Sequence, residues 1–102
     1  MAYRGSVHET GMDYFMTNVT NKGDLSISVS TYSGEAELYV GLEEITRLNY
    51  NWSSVTNDTT EHVEIADAQG AYYIGVYGYY NSEYSITAHT ATSFVHLVEG
   101  WP

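Results

Sequence analysis

Alternation with a period of two is the feature that most restricts this chain. Asp24-Leu25-Ser26-Ile27-Ser28-Val29-Ser30 alternates without a fault, with Leu25, Ile27 and Val29 on one face and serines on the other. Successive side chains of a β-strand point to opposite faces, so this run predicts a half-buried strand with its serines in water. The same pattern recurs along the chain. Ala36, Leu38 and Val40 alternate with Glu35, Glu37 and Tyr39, and Val63 and Ile65 alternate with His62 and Glu64. Tyr72, Ile74 and Val76 alternate with Tyr73, Gly75 and Tyr77, while Tyr84, Ile86 and Ala88 form a further strand. Near the start, Phe15, Thr17 and Val19 share the inward face and leave Asn18 outward. Turn residues separate the runs at Asn21-Lys22-Gly23-Asp24, Ser33-Gly34, Asp67-Ala68-Gln69-Gly70 and Tyr80-Asn81-Ser82. Leu42–Leu48 is the one helix-like stretch; it is short and uncapped, and reads as strand end or loop. Strands at this spacing without a helical pattern predict an all-β protein, an antiparallel β-sandwich.

Length and charge narrow the function. A chain of 102 residues holds about one domain, and 43% hydrophobic residues suffice for one core. There is no cysteine, which excludes a disulfide scaffold, a thiolate zinc site and a cysteine nucleophile. No apolar run approaches the roughly 20 residues of a membrane-spanning helix. Lys and Arg number 3 against 13 Asp and Glu, a formal charge of −10. Such a surface repels phosphate backbones and anionic lipid, so nucleic-acid binding and membrane insertion drop out. Only 16% of residues are charged whereas tyrosine occurs 11 times, the composition of an extracellular or cell-surface β-module rather than a cytosolic enzyme. Three N-glycosylation sequons, at Asn18, Asn51 and Asn57, point the same way. Met1-Ala2-Tyr3-Arg4-Gly5 lacks the apolar segment of a signal peptide, so a secreted origin implies a mature fragment or an interior piece of a longer chain.

Three segments carry a family resemblance. Gly34-Glu35-Ala36-Glu37-Leu38-Tyr39-Val40 resembles the G-D-A-D-L-Y-V strand of the bacterial pre-peptidase C-terminal domain family. Gly70-Ala71-Tyr72-Tyr73-Ile74-Gly75-Val76-Tyr77-Gly78-Tyr79, followed by Tyr84-Ser85-Ile86-Thr87, resembles its closing G-T-Y-Y-I-R-V-Y-G-Y … Y-T-L-T hairpin. Gly5-Ser6-Val7 … Asp13-Tyr14-Phe15, then Gly23-Asp24-Leu25-Ser26-Ile27, is similar to its opening. The similarity spans residues 3–89. It implies a jelly-roll-like β-sandwich without catalytic residues, appended to secreted peptidases or strung in tandem in surface proteins. Relatives that bind collagen hold calcium with acidic residues before the first strand and in the D-A-D region. That would make Asp13, Glu35 and Glu37 the calcium candidates here, with glutamates of longer reach replacing both aspartates. No other cofactor is implied.

Residues 3–92 form the expected module, and 93–102 remain as a linker or strand leading into a following repeat. Leu97-Val98-Glu99-Gly100-Trp101-Pro102 looks like the L-x-x-G-x-P lead-in that precedes the next copy in tandem arrays. Phe94, Leu97 and Trp101 are therefore expected to pack on an identical neighbour, through exposed strand edges.

Catalytic patterns are weak. His8, His62, His89 and His96 are scattered singly, no G-x-S-x-G occurs, and the pairs Glu35/Glu37 and Glu43/Glu44 read as solvated carboxylates. Tyr39, Tyr73, Tyr77 and Tyr79 stand out instead, since aromatic rings bury much area at little entropic cost. Two functions follow as expectations. One is a structural repeat of a glycosylated fibre or surface array, joined through the tyrosines and the tail. The other is an accessory domain of a secreted peptidase that recognises collagen or polysaccharide, with a lectin-like module as a third form.

Overall fold

The computed structural model describes residues 3–56, 58–90 and 97–100. Seven strands appear in order: β1 (Tyr3–Val7), β2 (Met12–Ser33), β3 (Ala36–Gly41), β4 (Trp52–Ser54), β5 (Thr60–Gly78), β6 (Ser82–His89) and β7 (Val98–Glu99). Every pairing is antiparallel, in the order β1-β6-β2-β5-β3-β4, with β7 joining β2. The architecture is the antiparallel β-sandwich that the alternation predicts.

Two long strands build both layers. The first half of β2 pairs with the second half of β5, from Met12↔Tyr77 to Val19↔Gly70. The second half of β2 pairs with the first half of β5, from Leu25↔Ile65 to Ser30↔Thr60. β6 joins only the later half of β2 and carries β1 outside it, completing one layer. β3 and β4 join only the later half of β5, and β7 joins β2 at Phe15 and Met16, completing the other.

Here the structure corrects the sequence reading. Asn21–Asp24 and Asp67–Gly70 do not reverse the chain. They face each other across the ladder at Gly23↔Ala68, where the register of β2 slips between Val19 and Gly23 and again before Leu25. Asp67 (φ 53°) and Gly70 (φ 94°) take the left-handed conformation on the opposing strand. Extra residues in a strand bend it sharply, so both strands turn together from one layer into the other. Likewise β5 and β6 are not a hairpin; they pair with opposite edges of β2, both bonding its Ser26–Ser30 stretch.

The inward phase is as expected. Phe15, Leu25, Ile27, Val29, Leu38, Val40, Ile74, Val76, Tyr84 and Ile86 are fully buried in one core. Phe15 meets Tyr84 and Tyr3 edge-on, with ring centroids 6.5 and 5.0 Å apart. Among the described residues, no buried side-chain polar atom lacks a hydrogen-bond partner.

The tail departs from expectation as well. Val98 and Glu99 pair with Met16 and Phe15 of the same chain, and Gly100 N donates to Tyr14 O at 2.8 Å. On the edge of β2, Tyr14, Phe15 and Met16 thus find backbone partners in the chain's own C-terminal segment, and Leu97 packs against the core. Glu99 also hydrogen-bonds Tyr3, tying β7 to β1. This part of the tail is engaged within its own domain rather than on a neighbour. Phe94 and Trp101 lie outside the described residues.

Candidate interaction surface

The outer face of the β2–β5–β3 layer carries the tyrosines. Cross-strand rows place Met12, Tyr77 and Glu37 side by side, then Tyr14, Gly75 and Tyr39, then Met16, Tyr73 and Gly41. Gly75 is the low point of this surface. A Cβ there would lie 2.7 Å from Met12 Sδ and 2.9 Å from Ile45 Cδ1, so only glycine lets these side chains close over the strand. Tyr39 and Ile45 form a second, smaller apolar cluster with Met12, Tyr14, Met16, Tyr73 and Tyr77 packed around them.

The segment between β3 and β4 folds over this face, which the sequence reading missed. Thr46 and Asn49 exchange backbone hydrogen bonds, and Asn51 Oδ1 accepts from Leu42 N at 3.0 Å. Ile45 is thereby pressed onto Tyr39, and the Tyr50 ring lies 4.8 Å from the Tyr39 ring. Tyr39 is only 4% exposed, contrary to the expected open stripe. Its hydroxyl donates to Glu37 Oε1, which also accepts from Arg47 Nε at 3.3 Å. The Arg47 guanidinium sits 4.3 Å above the centre of the Tyr77 ring. Burial, reinforced by the bond to Glu37, pushes the Tyr39 hydroxyl up to about 12. Tyr73 and Tyr77 are half-buried in the same cluster.

Tyr79 stands apart from it. Beyond the end of β5, Tyr79 N and Tyr80 N both donate to Glu35 O, as does Ser82 Oγ. The two rings meet edge-on at 4.9 Å and remain exposed, 46% and 54%. With Glu35, Glu37, Val55 and Thr56 they line an open groove of roughly 560 Å³.

The calcium candidates are not brought together. Glu35 and Glu37 share the groove, but Asp13 lies in the row of Val76 and Leu38, on the opposite face of the same layer. There it accepts a hydrogen bond from Tyr84. No group of three or more His, Asp or Glu side chains with metal-binding geometry occurs among the described residues. Asn18 and Asn51 are exposed, and Asn57 lies outside the described residues.

Two polar networks were not anticipated. Glu61 is fully buried and accepts from Ser54 Oγ and Thr56 Oγ1, each at 2.8 Å, fastening the end of β4 and Thr56 to β5. Its signal was available: extending the inward phase back from Val63 and Ile65 lands on Glu61. On the outer face of the other layer, His62 lies between Ser28 (2.7 Å to Nδ1) and Ser26 (3.5 Å to Nε2), and Ser26 donates to Glu64. This cluster sits on an open strand surface and has the character of cross-strand pairing. His8, between β1 and β2, lends its carbonyl to Gly11 N, and His89 ends β6; His96 lies outside the described residues.

These elements make a two-layer β-sandwich with a half-covered aromatic face and an aromatic, acidic groove. Comparison with solved structures agrees on the fold. The pre-peptidase C-terminal domain of collagenase from Bacillus anthracis superposes with a TM-score of 0.70 at 20% identity, covering 87% of this chain and 88% of that one. The Yersinia pseudotuberculosis-derived mitogen superposes with a TM-score of 0.65 at 12% identity, covering 91% and 86%. The chain therefore has the β-sandwich fold of a pre-peptidase C-terminal domain, as its motifs suggested. No family model matches the sequence, nor does any curated protein.

Proposed function

We propose that this chain is a non-catalytic recognition module of an extracellular protein, holding a polymeric ligand such as collagen or a polysaccharide along the Glu35–Tyr79–Tyr80 groove. One observation carries the reading: most tyrosines of the outer face are shielded by the 42–50 segment, whereas Tyr79 and Tyr80 stay exposed beside a groove. Exposed rings held by backbone hydrogen bonds are pre-ordered, so little entropy is lost on binding. Asn18 supports an extracellular setting, since it is exposed and lies near Ala71, about 26 Å of strand from Tyr79. A glycan there would leave the groove open.

A tail-linked fibre is the weaker reading, because Val98 and Glu99 already complete their own domain. Two measurements test the proposal. Light scattering should give a monomer. A binding screen against triple-helical collagen peptides and polysaccharides should return a ligand whose retention is lost in a Tyr79→Ala/Tyr80→Ala double variant of unchanged Tm. Ligand binding that survives the double substitution would move the site elsewhere.

A further inference from the structure

The Arg47 side chain shows how this surface accommodates a cation. Its guanidinium bonds the carboxylate of Glu37 and sits over the ring of Tyr77, 4.3 Å from its centre; Tyr77 is directly paired with Glu37 across the ladder. One carboxylate and one tyrosine ring, set side by side on neighbouring strands, thus seat a guanidinium, with the Tyr39 hydroxyl as a further partner of both Glu37 and Arg47. Ion pairing and cation–π attraction act on the same group there.

The seat is repeated. The register Glu37↔Tyr77, Ala36↔Gly78 continues to Glu35 beside Tyr79, with Tyr79 N donating to Glu35 O at 2.9 Å. Both residues lie just outside their strands, and Glu35 and Tyr79 line the same groove as Glu37. The second seat differs in what occupies it. Among the described residues no hydrogen bond or ion pair reaches the Glu35 carboxylate, and Tyr79 is open to solvent. Tyr80 holds the Tyr79 ring edge-on, and Val55, 52% exposed, forms an apolar wall opposite.

We propose that the Glu35–Tyr79 pair is a binding subsite for an arginine side chain of a protein partner, matching in trans the seat that Arg47 fills in cis. The proposal rests on the groove being the recognition surface and names the chemistry it reads. The guanidinium would stack on Tyr79 and pair with Glu35 while its methylene stem lies along Val55. Arginine suits this better than lysine, because a planar, weakly hydrated fork stacks and pairs simultaneously. A chain of formal charge −10 also favours a cationic partner over an anionic one.

The probe is a short extended peptide in which arginine alternates with glycine, titrated by fluorescence anisotropy at physiological salt. Its controls are the same peptide with citrulline and with lysine. The arginine peptide should bind, the lysine peptide several-fold more weakly, and the neutral citrulline peptide not measurably. Glu35→Gln and Tyr79→Ala should each weaken binding about tenfold without changing Tm. Glu44→Gln removes the same charge from the exposed 42–50 segment and should cost less than about twofold. Equal losses in Glu35→Gln and Glu44→Gln would reduce the effect to diffuse attraction and overturn the subsite. Equal binding of the citrulline peptide, or no binding of the arginine peptide, would overturn it too. If a collagen or polysaccharide ligand from the screen still depends on Tyr79 in that case, the groove keeps its role and only its arginine specificity falls.

Discussion

Tyr84 Oη donates a 2.6 Å hydrogen bond to Asp13 Oδ2 across 71 residues of sequence, from β6 in one layer to β2 in the other. Asp13 is in phase with Phe15, Thr17 and Val19, so the fold carries its carboxyl inward at the open end of the core. Burial raises the pKa of both groups, and the bond to Asp13 raises that of Tyr84 further. Tyr84→Phe removes the donor and leaves a half-buried carboxylate without it. Unfolding by urea should show a loss of about 1–3 kcal/mol; a loss under about 0.5 kcal/mol would mean water replaces the hydroxyl freely.

Asp13 also sets a pH dependence. Burial lifts its pKa above 3.8, outweighing the opposite pull of the Tyr84 bond, with Glu99 raising and His8 lowering it. The folded state then favours the protonated acid. The associated stability is complete below the unfolded value of 3.8 and is lost as pH rises through the folded one. Asp13→Asn, which retains an acceptor for Tyr84, should melt higher than the parent at neutral pH. That advantage should shrink as the pH approaches 3.8. Melting curves across this range decide it; an advantage growing toward acid contradicts the assignment.

Alkaline titration should separate the tyrosines. Hydrogen bonding to Glu99 pushes Tyr3 up to about 12, burial pushes Tyr39 up to about 12, and burial raises Tyr84 further. Each stabilises the fold fully below the ordinary tyrosine value of 10.0, and that contribution is lost as pH rises toward the folded value. Absorbance at the phenolate band should show Tyr3, Tyr39 and Tyr84 ionising only together with unfolding. A single transition for all of them, with circular dichroism unchanged, would refute this.

Glu61→Ala should be costly. It strips partners from Ser54 and Thr56 and opens a cavity at a fully buried position, so about 3 kcal/mol of stability should vanish. Glu64→Ala, on the exposed face three residues on, should cost less than about 0.5 kcal/mol in the same denaturant assay. Similar losses would show that Glu61 is solvated in solution.

Glycine substitutions should rank by geometry. Gly34 (φ +82°) would drive a Cβ into the Asn81 carbonyl, a backbone atom, so Gly34→Ala should cost several kcal/mol, about 3 or more. At Gly75 the obstacles are the tips of Met12 and Ile45, which can shift, and the cost should be nearer 1–2 kcal/mol, approximately that of modest overpacking. Thermal melts of both variants test the order; its reversal would mean the 33–35 connection yields more easily than the aromatic face.

The faces of individual strands were legible in the chain. Each alternating run buries the side chains its phase assigns, from Leu25, Ile27 and Val29 to Tyr84, Ile86 and Ala88. The same phase, followed two residues further, also held Asp13 and Glu61. What misled was punctuation. Asn21–Asp24 and Asp67–Gly70 have turn composition, yet bulges and left-handed residues use that composition too, and only pairing between the two strands makes them bends.

Side-chain direction along a strand is a local steric consequence of the backbone, so the amino-acid order alone determined which residues face the core and that the protein is a β-sandwich. Exposure on the outer face depends on segments distant in sequence. Tyr39 and Tyr79 belong to the same tyrosine pattern, but the 42–50 segment covers the first and stops short of the second. That difference, which leaves the Glu35–Tyr79 pair open while Arg47 fills the one beside it, arises only when β3, β5 and the intervening segment pack together.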